Sequence, residues 1–203
     1  MRGCASSVVV FAACLAGCAS FHAPRPETLA RLRPMPLASL LPGQFEVEIE
    51  SPGLTGTFDA VCAVSGSGVR MQWFPDVGGK VLDLHVGTSA VVAEMPGHRY
   101  EAVAPLQDAE PHLGLVFAMV LAELLAPVDA ARVQGERWSD GATELRLLPA
   151  LAAGEVTARL AAEGTIAAYR LRLGWIDCTL TAEGVLRGRG CTAHLRRIPA
   201  DAR

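Results

Sequence analysis

The sequence predicts a mainly β protein with a few helices: a curled antiparallel sheet, an incomplete β-barrel, covered by one or more short apolar helices. Three observations predict it. Phe45, Val47 and Ile49 alternate with Glu46, Glu48 and Glu50, the period-two signature of a half-buried strand. Turn residues recur at short intervals from Ser51-Pro52-Gly53 onward, the spacing of consecutive hairpins. A single long apolar run, Leu113 to Ala126, interrupts the β pattern and ends at Pro127.

The elements follow in order. After the Phe45–Ile49 strand, Phe58, Ala60, Cys62 and Val64 share one face of a second strand over 57–64. Gly66-Ser67-Gly68 turns the chain, and Val69, Met71 and Trp73 alternate with Arg70 and Gln72 in a third. A turn over 75–79 leads into a strand over 80–86, with Leu82, Leu84 and Val86 on its apolar side. Strands over 90–95 and 98–103 are separated by Pro96-Gly97. The 113–126 segment has helix-start signals over 108–111 and a proline stop. Glu123 is its only charge, so the helix is either a central core helix or a lid over an apolar cavity. A loop is expected through Gly135–Gly141. Strands then resume over 144–148, 156–160 and 165–173, and over 175–181 and 185–195 around a turn at Glu183-Gly184.

The N-terminus carries an address. Arg2 precedes an apolar stretch from Val8 to Leu15, followed by the small residues Ala16 and Gly17. A membrane span needs about 20 apolar residues, so this reads as a secretory signal. Leu15-Ala16-Gly17-Cys18 closely resembles the bacterial lipobox. The resemblance implies that the Cys18 thiol receives a diacylglyceryl group, that the chain is cut before it, and that the new amino group is acylated, for example with palmitate. Several acyl chains make such an anchor durable, because each buried methylene contributes about 0.8 kcal/mol. Ala19 and Ser20 follow the cysteine where an inner-membrane retention signal would place Asp, which implies the outer membrane, facing the periplasm. The expected organisation is a signal peptide over 1–17, a lipidated and proline-rich tether over 18–40, a folded domain over 41–198, and a polar tail over 199–203.

Removing residues 1–17 leaves 186 residues, enough for one domain with a sizeable core, and loss of Arg2 takes the formal charge from −3 to −4. No basic surplus supports nucleic-acid binding. Three cysteines remain besides Cys18. Cys62 sits among apolar residues as a buried thiol. Cys178 and Cys191 flank the expected hairpin, so a disulfide between them or two free thiols both fit.

A search for reactive constellations yields little. The five histidines make no metal-ligand spacing, and no cofactor motif is present. Asp83 and His85 share a strand face without an identifiable nucleophile. Ser65-Gly66-Ser67-Gly68 lacks the spacing of a nucleophile elbow and reads as a hairpin turn. The carboxylates are scattered. The expectation is a protein that is not an enzyme and carries no metal or cofactor.

The order lipobox, tether, β-meander, apolar helix and further antiparallel strands resembles the LolA/LolB-like lipoproteins. The likeness rests on Phe58-Asp59-Ala60-Val61 leading into Val69–Trp73, on Gly79-Lys80-Val81-Leu82-Asp83-Leu84, and on the helix before Pro127, over roughly Leu41–Ile198. It implies a hydrophobic cavity that holds acyl chains of lipoproteins or other acylated molecules, for transfer or insertion at the outer membrane. Face alternation would line such a cavity with Phe58, Val69, Met71, Trp73, Leu82 and Leu84, with Phe117, Leu121 and Leu124 on the covering helix. Each serves equally as plain core. The alternative is a scaffolding lipoprotein whose core is filled by its own side chains and whose surface binds a protein partner.

Overall fold

A computed structural model describes residues 20–87, 89–103, 113–151 and 154–199. Cys18 and the preceding Leu15, Ala16 and Gly17 lie outside the described residues, as do the helix-start signals over 108–111. The chain begins with a short helix, α1 (Pro26–Arg31), and a 3-10 turn over Pro36–Leu40. A first meander follows: β1 (Gly43–Ser51), β2 (Leu54–Ser65), β3 (Gly68–Phe74), β4 (Leu82–Val86), β5 (Ala90–Met95) and β6 (His98–Val103). Next comes the apolar helix α2 (Leu113–Leu125). The second meander is β7 (Val133–Ser139), β8 (Ala142–Leu147), β9 (Glu155–Leu160), β10 (Ile166–Leu173), β11 (Ile176–Thr181), β12 (Val185–Gly188) and β13 (Cys191–Arg197).

All pairings between these strands are antiparallel, and β1 joins β13 to fuse the two meanders into one 13-stranded sheet. Its ends, β6 and β7, do not pair with each other, so the sheet stays open. Register follows the sequence pattern. Phe45, Val47 and Ile49 are buried, and Val47 lies opposite Phe58 on one side and Leu195 on the other. The row continues through Phe45, Ala60, Trp73 and Leu82, all at or near zero exposure. Directly paired residues share a sheet face, so one continuous inner face runs across both meanders. The apolar helix α2 lies on it, packed against β4 and β5 of the first meander and β11 of the second.

The chain departs from the sequence expectation most in four places. β4 starts at Leu82 rather than residue 80, although the Val81 N–H still donates to the Trp73 carbonyl at 2.9 Å. The expected loop through Gly135–Gly141 is the strand β7 and a tight turn. Asp140 (φ 49°) and Gly141 (φ 74°) adopt the paired left-handed conformation of a two-residue hairpin, with Ser139 opposite Ala142. The expected strand over 185–195 is two, β12 and β13, folded back at Arg189-Gly190.

The fourth departure is the tether. Residues 20–42 are docked on the domain: Leu32, Met35 and Leu37 belong to the hydrophobic core. Residue 22 pairs with Glu136 on the outer side of β7, and Arg33 pairs with Thr165 beside the β9–β10 turn. Gly164, at φ 92°, permits this docking, since a Cβ there would meet the Arg31 carbonyl oxygen at 2.4 Å.

Candidate binding site

The inner face gathers every residue that the sequence placed around a cavity. Phe58, Val69, Met71, Trp73, Leu82 and Leu84 come from β2, β3 and β4, and Phe117, Leu121 and Leu124 from α2. All nine are buried, none more than 6% exposed, within one core cluster. The Phe117 ring meets Trp73 edge-on at 4.7 Å between centroids, and Phe58 stacks on Trp73 at 5.9 Å. Such aromatic pairs add about 0.5–1.5 kcal/mol beyond their burial. The helix therefore occupies the space against β3 and β4 where a guest would lie. The Trp73 indole N–H is buried there with no hydrogen-bond partner.

A crevice opens beside the C-terminal half of α2. It has a volume of about 340 Å³ and lies between the helix, the β2–β3 turn and the chain after β8. Val64, Val69, Val86, Ala122, Leu125 and Leu151 supply its apolar walls, so Val69 is the one expected lining residue that reaches it. Val64, at its rim, is 43% exposed.

The wall after β8 is held by the helix's only charge. Glu123, almost fully buried, accepts a hydrogen bond from the Ala150 N–H at 2.6 Å and pairs with Arg132 at 2.6 Å. The Arg132 guanidinium also donates to the Leu148 carbonyl at 2.8 and 3.1 Å. A buried carboxylate is tolerable only when paired and hydrogen-bonded, and these contacts meet that demand. Sequence reasoning found Glu123 but not its partners, which are nine and 27 residues away along the chain.

The opposite face of the sheet carries a polar cluster. Asp83 accepts from Arg70 at 2.5 and 2.8 Å, from Gln72 at 3.0 Å, and from Lys80. The Arg70 guanidinium, chiefly, holds its carboxyl well below the usual carboxylate range against the opposing effect of burial. Asp83, His85, Ser65 and Ser67 line a shallow cleft of about 540 Å³ there. The two serine hydroxyls bond each other at 2.8 Å, and the Asp83 oxygens are taken by its cationic and amide neighbours. This arrangement does not orient His85 toward a serine. Among the described residues no group of three or more His, Cys, Asp or Glu side chains is placed to hold a metal ion.

Cys178 and Cys191 do not form a disulfide; both are free, as is Cys62. The strand β12 lies between them, with Gly188 opposite Cys178 on one side and Cys191 on the other. Two strand spacings separate their backbones by about 9.5 Å, beyond the 4.4–6.8 Å that a disulfide spans. Burial pushes the thiols up, to about 11 for Cys62 and about 12 for Cys178.

At the other end of the second meander, residues 20–31 wrap β7. The Phe21 ring lies beneath the Arg137 and Arg146 guanidinium groups, at 4.5 and 4.4 Å. The Glu136 carboxylate, buried on the inner face, accepts from the Arg25 N–H at 3.0 Å and pairs with the Arg25 guanidinium. Trp138, two residues on, is 65% exposed.

No family model and no curated protein matches the chain. Among solved structures, it aligns with a chain of the Pseudomonas aeruginosa MucA/MucB complex at 16% identity and a TM-score of 0.20. The alignment covers 86% of this chain and 58% of that one. Among the described residues no helix is long and apolar enough to cross a membrane.

Proposed function

We propose that this chain is a bacterial lipoprotein of the LolA/LolB-like kind, held at the outer membrane by lipid on Cys18. Facing the periplasm, it would bind an acyl chain of a lipoprotein or another lipid for transfer or insertion. The observation that carries the reading is the apolar crevice between α2 and the sheet. Helix α2 is apolar around nearly its whole circumference, which suits a surface that exchanges sheet contacts for lipid contacts at little cost. The crevice takes the end of an acyl chain, and displacement of α2 would open the inner face to the rest. The unpartnered Trp73 N–H is then available to an ester carbonyl. Such a role needs no bond-making chemistry.

Titration of the Cys18→Ala mature domain with a fluorescent fatty acid tests the reading. Ala122→Trp fills the crevice from its helix wall and Val64→Asp charges its exposed rim. Saturable binding weakened at least tenfold by either variant, in protein with an unchanged circular dichroism spectrum, supports the carrier. Binding absent from the wild type, or unchanged in both variants, overturns it.

A second reading is favoured by the packing of the nine inner-face residues. With α2 seated, the core is filled by its own side chains, as a scaffolding lipoprotein requires. That reading expects no acyl guest and a protein partner on the outer surface.

A further inference from the structure

We propose that the tip of the β7–β8 hairpin is the face this protein lays against the membrane, with Trp138 seated among the lipid headgroups. The inference rests on the reading that Cys18 is lipidated. It starts from the docked N-terminal segment. His22 and Glu136 exchange backbone hydrogen bonds at 2.9 and 2.8 Å in an antiparallel bridge. The same antiparallel register sets Ser20 level with Trp138, two residues before the Asp140-Gly141 turn. Cys18 is only two residues before Ser20, and two residues span at most about 7 Å. A lipid on Cys18 therefore holds the hairpin tip at the bilayer surface.

The docked segment has no slack to move the anchor elsewhere. Phe21 is held between two guanidinium groups and the sheet, Arg25 is tied to buried Glu136, and α1 abuts Gly164. The surface at the tip suits a headgroup layer. Trp138 presents an exposed indole, the side chain that settles where one end is apolar and the other wet. Beside it is a cleft of about 350 Å³ lined by Arg25, Arg31, Trp138 and Thr143. Arg31 is exposed and gives its Nε hydrogen to the Glu27 carbonyl, leaving its terminal N–H donors for a lipid phosphate.

This placement also orients the crevice. The chain after β8 that forms its wall lies at the strand end opposite the hairpin tip. The seven residues of β7 put about 20 Å between the two ends. The mouth of the crevice then faces away from the anchoring membrane.

The test uses the full-length, cell-processed protein reconstituted in vesicles whose phospholipids carry bromine near the glycerol end of one acyl chain. Intact mass on the same sample reads whether Cys18 carries its lipid. The expected result is quenching of tryptophan fluorescence in the wild type and its loss in Trp138→Phe, since Trp73 is buried and Trp175, in the β10–β11 turn, lies at the strand end opposite the hairpin tip. A lipidated protein quenched equally with and without Trp138, or not quenched at all, overturns the orientation while leaving the anchor standing. A protein without the lipid mass overturns the anchor, and the orientation with it.

Discussion

Single residues decide how the inner face is closed. Glu123 reads in the sequence as an isolated charge on an apolar helix, and periodicity gives no reason for it. The reason is three-dimensional: its carboxylate ties α2 to Arg132 and to the Ala150 N–H. Glu123→Ala leaves the nearly buried guanidinium and that N–H unpaired. Removing one partner of a buried pair costs about 3–5 kcal/mol, and the Leu148 carbonyl's hold on Arg132 favours the lower end. The expected outcome in urea is a lowered midpoint with the slope unchanged. Asp83 supplies a pH signature. Its folded carboxyl is held below its unfolded value, about 3.9, so its stabilising contribution is fully present above that pH and lost as pH falls through the folded value. Urea midpoints from pH 6 to pH 2.5 should fall more steeply for the wild type than for Asp83→Asn. Parallel curves would show that the Arg70–Asp83 pair contributes nothing.

Elements were legible where one face is buried and the other wet. β1 shows this best, because Glu46, Glu48 and Glu50 mark the outer face while Phe45, Val47 and Ile49 mark the inner. α2 was legible from its length and Pro127. β7 was not, because Gly135 and Glu136 are both buried at a register shift that breaks the alternation. The Asp140-Gly141 pair was nevertheless a hairpin signal in the sequence, of the kind that specifies a two-residue turn. The split of 185–195 into β12 and β13 also escaped periodicity, since Arg189-Gly190 looks no different from the glycines inside other strands. That split decides the cysteine chemistry. Thiol titration of the denatured, unreduced Cys18→Ala mature domain should return three thiols, and a single thiol would mean that Cys178 and Cys191 pair after all. In the native protein the two buried thiols should react last, because burial disfavours their thiolates.

At the scale of the whole molecule, a 13-stranded open sheet must bury its inner face and protect its two ends. α2 does the first by bridging the meanders, and the N-terminal segment covers β7 through the His22–Glu136 bridge and Phe21. At the other end β6 carries Arg99 and Glu101, whose ion pairs with each other and with Glu94 keep that edge polar. The prolines over 24–36 suggest a tether, and that segment carries Leu32, Met35 and Leu37 into the core. Proline content limits helix and sheet without preventing docking. The candidate site was half legible: the nine inner-face residues were identified, but alternation cannot say whether the space between them is open or filled by α2. The crevice depends on where α2 ends against the β2–β3 turn, a relation no local pattern encodes. Native mass spectrometry of the Cys18→Ala mature domain, purified from cells without detergent, tests the acyl-binding claim most directly. The expected result is a non-covalent guest with the mass of an acyl lipid, lost in Ala122→Trp. A guest-free protein that also takes up no added lipid would contradict it.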